Sequence, residues 1–137
     1  MDIRQFSVPE TAVFQLQDAA ERPMYADGDT SKPMRVHLYS PGSKQYAKAQ
    51  ADRNTRLVER INVKGKMAPM TVEESIREKA TYLADCTYSW ENVEFEGKQG
   101  RDLSMAIYSE TNLGFIADQN AKRLGDWKDF LKDSQPT

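Results

Sequence analysis

The sequence has little of the chemistry on which enzymes usually depend. Its 137 residues include one cysteine, Cys86, and one histidine, His37. A catalytic base or a metal site normally combines several histidine, cysteine and carboxylate side chains, and nothing near either residue has that spacing. The seven glycines are scattered and form neither the G-x-G-x-x-G nor the G-x-x-x-x-G-K-[ST] phosphate-binding pattern. We therefore expect no enzymatic activity, no cofactor and no bound metal.

The chain also lacks features that would direct it out of the cytoplasm. A single cysteine cannot form an intrachain disulfide. No stretch approaches the roughly 18 consecutive apolar residues of a membrane span. The first residues lead into no apolar run typical of a signal peptide. The sequence thus predicts a cytoplasmic protein that does not engage a membrane.

Charge is unevenly distributed along the chain, although the formal net charge is only −2. Residues 44–66 carry seven basic and two acidic side chains, whereas residues 67–137 carry eight basic and thirteen acidic ones. Regions of opposite charge favour self-association or docking on a charged partner. The simpler alternative is a solvated, basic helix face.

Two N-terminal segments, 11–18 and 34–39, alternate apolar and polar residues. This alternation is typical of half-buried strands. The segment between them contains prolines and a glycine and indicates a loop. The two runs predict a β-hairpin, which needs helices or a neighbouring subunit to cover its apolar face.

Helical patterns follow the hairpin. Residues 44–61 contain no helix breaker and are polar almost all round, which is typical of a helix that carries a partner surface. Thr71 and Glu74 have the spacing of a capping box, and the apolar residues behind them recur at steps of three or four. This pattern predicts a core helix over 71–90.

Two more helices are predicted towards the C terminus. Asp102 is placed to cap a short helix, and Asn112 opens the last helix, which extends to residue 131. The expected fold class is α+β, mainly α, with an N-terminal β-hairpin followed by about four helices. We expect a single domain over 1–137, divided into a hairpin arm (1–42), a polar basic helix (43–66) and a helical core (71–133).

A series of short motifs, each occurring once, runs from Val36 to Leu131. Its parts are Val36-His37-Leu38-Tyr39-Ser40-Pro41-Gly42-Ser43 before the basic helix, Leu83-Ala84-Asp85-Cys86-Thr87 with Trp90 and the turn Glu96-Gly97, then residues 102–108 and 113–119, and finally Phe130-Leu131. This order resembles the tail assembly chaperone family of long-tailed bacteriophages and their prophages. The resemblance covers about two-thirds of the chain and includes no catalytic signature.

The resemblance implies a largely helical, non-catalytic protein of the infected cell. Such chaperones bind the tape-measure protein, help to recruit tail-tube subunits, self-associate and are absent from the mature virion. Many are also made in a longer, frameshifted form. The resemblance thus implies host-cell cytoplasm as the location, with tape-measure and tail-tube proteins as partners.

The residues suggest where such a partner would bind. A partner helix could lie between the predicted helices 71–90 and 112–131. The expected partner-binding residues are Tyr108, Phe115, Trp127, Arg53, Arg56 and Arg60.

Two other functions remain open. One is a structural head–tail connector or tail-completion protein of the virion. The other is a nucleic-acid-binding regulator that uses the 44–66 basic helix to track phosphates. We do not expect nucleic-acid binding, because the segment lacks both a helix-turn-helix partner and interleaved aromatic residues.

Overall fold

A computed structural model describes residues 1–64 and 69–131 of the chain. Three antiparallel strands form one sheet in the order β1-β2-β3. The regular elements are β1 (Thr11–Gln15), β2 (Arg35–Tyr39), α1 (Lys44–Lys64), α2 (Val72–Asp85), β3 (Thr87–Glu91), α3 (Gly100–Ser109) and α4 (Gly114–Leu124). Short 3-10 helices span Ile3–Phe6, Ala26–Gly28, Thr111–Leu113 and Trp127–Phe130.

The predicted fold class is confirmed, since the structure is α+β, 55% helical, and begins with a β-hairpin. Strands β1 and β2 alternate buried and half-buried residues, and their buried side chains join those of α2, α3 and α4 in one core. Helix α1 contributes little to this core, because Ala49 is its one buried residue among the described side chains. No helix within the described residues combines the length and apolar character needed to cross a bilayer. The predicted boundaries at residues 66 and 133 lie outside the described residues.

The predicted hairpin forms within one chain. Strand β1 pairs with β2 in a register that places Thr11 opposite Tyr39 and Gln15 opposite Arg35. Strand β1 ends earlier than the alternation predicted, because residues 17 and 18 pair with loop residues 22 and 23 instead of with β2. A side chain covers the opposite edge of the chain at Gln17. The Gln119 side chain accepts a hydrogen bond from the Gln17 N–H and donates one to the Gln17 carbonyl oxygen, both at 2.9 Å.

The prediction of a helix over 71–90 is wrong at its end. Helix α2 stops at Asp85, and Thr87–Glu91 forms strand β3 beside β2. The capping box at Thr71 is confirmed. After Cys86 the apolar residues keep the spacing of a helix, but the backbone pairs with β2. Contacts with a distant strand thus outweigh the local helical pattern, as they often do. Trp90 reaches the core from the strand, where its indole N–H donates to the Ser104 hydroxyl at 2.8 Å.

The prediction of one helix over 112–131 is also wrong, because the chain breaks into three pieces. Helix α4 ends at Leu124 with Gly125 as its C-cap. The Asp126 carboxylate then accepts a hydrogen bond from the Lys128 N–H and caps the short helix Trp127–Phe130. This break turns Phe130 into the core, where its ring meets Phe14 edge to face with centroids 5.3 Å apart.

Two predicted N-caps are misplaced. Asp102 lies inside the first turn of α3, whose N-cap is Gln99. Asn112 lies within the short helix Thr111–Leu113, and the Glu110 carboxylate caps that helix by accepting the Asn112 N–H at 3.5 Å. In both cases the helix begins a few residues before the side chain that was predicted to cap it.

A buried chain of hydrogen bonds joins α2, β3, α3 and α4. The Thr87 hydroxyl donates to the Leu83 carbonyl oxygen at 2.7 Å, so the Tyr108 hydroxyl must donate to Thr87, also at 2.7 Å. The Asn120 side-chain amide in turn donates to Tyr108 at 2.9 Å. The donor and the acceptor of each of these three hydrogen bonds are therefore known. Burial raises the pKa of Tyr108, which keeps this hydroxyl protonated.

We predict that Tyr108→Phe lowers the free energy of unfolding by about 1–3 kcal/mol, because it leaves the buried Asn120 amide and Thr87 hydroxyl short of a partner. Urea denaturation followed by circular dichroism measures the change. Tyr88→Phe is the control, because Tyr88 is 62% exposed and its loss of a hydroxyl should change the stability by less than about 0.5 kcal/mol. Equal effects of the two substitutions would contradict the role of the buried chain.

Candidate partner-binding groove

A groove with a volume of about 630 Å³ opens between α1 and α2. The three predicted arginines, Arg53, Arg56 and Arg60, all line it from α1. The apolar part of its lining consists of Leu57, Met70, Tyr82, Leu83 and Ala121. The remaining lining residues are mostly polar or charged and belong to α1 and α2. We refer to this feature as the α1–α2 groove.

Two of the arginines hold α1 against α2 through ion pairs. The Arg56 guanidinium donates two hydrogen bonds to the Glu78 carboxylate, at 2.9 and 2.8 Å. Arg60 pairs with Glu74 and also donates to the Pro69 carbonyl oxygen at 3.0 Å. The bond with Glu78 raises the pKa of Arg56, and the bond with Arg60 lowers the pKa of Glu74 to about 2. The Arg56 guanidinium and the Glu74 carboxylate are therefore both charged at neutral pH.

Arg53 and Gln50 contact the same aromatic ring from α1. The Arg53 guanidinium lies over the Tyr82 ring, 4.7 Å from its centroid, in a cation–π contact. The Gln50 side-chain amide donates to the hydroxyls of Tyr46 and Tyr82 at 2.9 and 2.7 Å. Burial raises the pKa of Tyr82. Polar contacts therefore join α1 to α2 along the groove.

The three predicted aromatic contacts do not converge with the arginines. Tyr108 is buried, with 5% of its surface exposed, and its hydroxyl is engaged in the core. Phe115 is half-buried and packs against the core. Trp127 is 56% exposed and covers Gly42, where an added Cβ would lie 3.3 Å from the ring. A surface role thus remains available to Trp127 and, in part, to Phe115, but not to Tyr108 in this conformation.

The groove was expected between the helices predicted at 71–90 and 112–131, but the structure has it between α1 and α2. Helix α4 supplies only Ala121 to the α1–α2 groove. Sequence reasoning did not identify Leu57, Tyr82 or Arg77 as groove residues. Leu57 is one of the few apolar residues in a helix that is polar almost all round. The sequence pattern does not show which helix lies opposite it.

A second cavity, of about 860 Å³, lies between the N-terminal half of α1 and β3. Its charged lining residues include two internal ion pairs, Lys48 with Asp52 and Arg101 with Asp85. Cys86 lies behind this region and is fully buried, and burial raises the pKa of its thiol to about 12. Within residues 1–64 and 69–131, no three His, Cys, Asp or Glu side chains gather in a way that could hold a metal ion.

Comparison of the chain with family models, with curated proteins and with solved structures finds no match.

The low pKa of Glu74 makes the α1–α2 contact sensitive to acid. Because this pKa is about 2 in the folded protein against an ordinary value of 4.5, the pair with Arg60 stabilises the fold fully above pH 4.5. Its contribution is lost as the pH falls towards 2. We predict that Glu74→Gln lowers the urea midpoint at pH 7 and that the gap to the unsubstituted protein closes across this window.

The control for this titration is Glu73→Gln, because Glu73 is exposed and forms no ion pair within the described residues. Its urea midpoint should stay close to that of the unsubstituted protein at each pH. A gap for Glu74→Gln that stays constant from pH 7 to pH 2 would show that the ion pair does not contribute.

Proposed function

We propose that this protein is a non-catalytic tail assembly chaperone of a long-tailed bacteriophage or prophage. In this proposal it binds the tape-measure protein in the host-cell cytoplasm and helps to recruit tail-tube subunits. It leaves before the virion is complete. The observation that carries the proposal is the α1–α2 groove, an open surface that combines apolar and charged side chains.

The groove suits a chaperone because part of its apolar lining, at Leu57 and Met70, is accessible. Leu57 is 38% exposed at its edge, and Met70 is half-buried. Met side chains adapt to partners of different shape, and an amphipathic helix docks by placing its apolar face in such a groove. Tape-measure proteins are long and helical in the family that the sequence resembles, so a chaperone for them needs a surface that accepts helices.

The motifs that carry the resemblance have structural roles. In the Ser40–Ser43 turn, the Ser43 hydroxyl donates to the Ser40 carbonyl oxygen at 2.8 Å and accepts the Tyr46 N–H at 3.1 Å. This arrangement starts α1 beside β2. The Leu83–Thr87 motif ends α2 and begins β3. The resemblance therefore rests on residues that build this fold, which supports a shared architecture with the family.

The nucleic-acid alternative has weaker support. Arg56 and Arg60 are engaged with Glu78 and Glu74, so two of the cations expected to track phosphates already have carboxylate partners. Lys48 is likewise paired with Asp52. A helix that binds a phosphate backbone needs cationic side chains that are free to neutralise phosphates, because this neutralisation releases the counterions held by the nucleic acid. The virion-component alternative is not favoured by any feature of the groove.

The proposal predicts that co-expression with overlapping fragments of the tape-measure protein from the same genome keeps at least one fragment soluble and bound. Affinity purification of the tagged chaperone, with the fragment expressed alone as control, measures this. Fragments that remain insoluble and unbound in every case would refute the chaperone function.

Two further measurements separate the alternatives. Mass spectrometry of purified virions should detect tube and tape-measure proteins but not this chain, whereas a connector or tail-completion protein would be present. Retention on duplex DNA that weakens steeply with salt would instead support the nucleic-acid-binding regulator. In the genome, a tail-tube gene upstream and a tape-measure gene downstream would agree with the chaperone.

A further inference from the structure

The charges of the α1–α2 groove are strongly biased towards one sign. Its charged lining residues are five cations (Arg53, Arg56, Arg60, Arg77 and Lys79) and two carboxylates (Glu74 and Glu78). The chain as a whole carries a formal charge of −2. The groove is thus a local cationic surface on an acidic protein, and a partner of negative charge would be drawn to it in preference to the rest of the surface.

Two of these cations are free to meet a new carboxylate. Arg56, Arg60 and Lys79 already pair with Glu78, Glu74 and Asp118. Arg53 and Arg77 are exposed and have no carboxylate partner within residues 1–64 and 69–131. Arg53 lies on the α1 side of the groove and Arg77 on the α2 side. Incoming carboxylates would therefore find a free arginine on either side of the apolar lining.

The shape of the groove indicates a helical occupant. Its two walls are helices, and the α1 residues that line it, from Arg53 to Arg60, span about 10 Å along the axis at 1.5 Å per residue. Two neighbouring helices offer the ridges and grooves into which a third helix packs. Leu57 and Met70, the exposed and half-buried apolar residues of the lining, would contact the apolar face of that helix, and its polar flanks would face the free arginines.

We infer that the α1–α2 groove is the docking site of an amphipathic helix that carries carboxylates along its flanks. The identification of this helix as part of the tape-measure protein rests on the proposed function. The preference for an acidic helix does not, because it follows from Arg53, Arg77 and the apolar lining of this chain.

The test uses two fluorescent synthetic peptides and the full-length protein. Both peptides are about 20 residues long, so that they can form a helix, and both share one leucine face. One has glutamates on the flanks and the other has lysines. Fluorescence anisotropy should show that the acidic peptide binds at least about tenfold more tightly, a difference that shrinks as salt screens the charges.

Adjacent residues of α1 supply a matched pair of variants. Leu57 lines the groove, whereas the neighbouring Val58 does not and is 55% exposed. Leu57→Glu should weaken the acidic peptide at least about tenfold, as expected for an apolar contact at the centre of an interface. Val58→Glu should leave its affinity within about twofold. Thermal melting confirms that each variant is folded.

Charge reversal gives a second, independent pair. Arg53→Glu combined with Arg77→Glu changes only exposed side chains, so this variant serves even if Leu57→Glu fails to fold. It should weaken the acidic peptide and strengthen the lysine peptide. Lys44→Glu, on the same helix but outside the groove, should change neither. Three results would overturn the inference. They are equal binding of the two peptides, equal effects of the paired variants, and equally tight binding of duplex DNA to the groove.

The same variants distinguish failure of the inference from failure of the proposed function. If a tape-measure fragment binds the unsubstituted protein and Leu57→Glu equally well, the chaperone function stands and the groove is not its docking site. If the acidic peptide behaves as expected but no tape-measure fragment binds, the groove keeps its preference and the proposed function is wrong.

Discussion

The hydrogen bond from the Thr87 hydroxyl to the Leu83 carbonyl oxygen, 2.7 Å long, marks the point at which α2 gives way to β3. Most of the core is arranged around this junction. It places β3 beside β2, brings Trp90 to Ser104 on α3, and leaves the Thr87 oxygen as the acceptor for Tyr108. A change in how the helices meet the strand would leave donors or acceptors of this buried chain without their partners, which is costly.

Helix α1 is attached on a different physical principle. It buries one alanine and meets α2 through ion pairs, a cation–π contact and the bonds of Gln50. Exposed ion pairs each contribute up to about 1 kcal/mol, and bidentate ones such as Arg56–Glu78 contribute more. The groove lies along this polar junction between α1 and α2. It is the feature on which the proposed chaperone role depends.

Local chemistry was predictable where neighbouring residues decide the outcome. The capping box at Thr71 requires only residues three apart, and the hairpin requires only alternation and a loop, so both were predicted correctly. Predictions failed where a distant segment competes with local periodicity. Residues 87–90 continue a helical spacing but pair with β2. The helix predicted to reach residue 131 ends at Leu124, and Phe130 then contacts Phe14 in the core. Arg53, Arg56 and Arg60 were chosen from charge alone and lie together in the groove, whereas the apolar groove residues were not chosen.

The sequence by itself determined the fold class, the strand pairing of the hairpin and the polar character of α1. These follow from composition and short-range pattern, which report how each residue prefers water or the interior. Only the tertiary structure decided that Tyr108 belongs to the core and that Arg53 and Arg77 flank one groove. Residues 24 positions apart become neighbours only through the way that two helices are placed side by side. That placement depends on contacts such as Arg56–Glu78, whose partners no local pattern identifies.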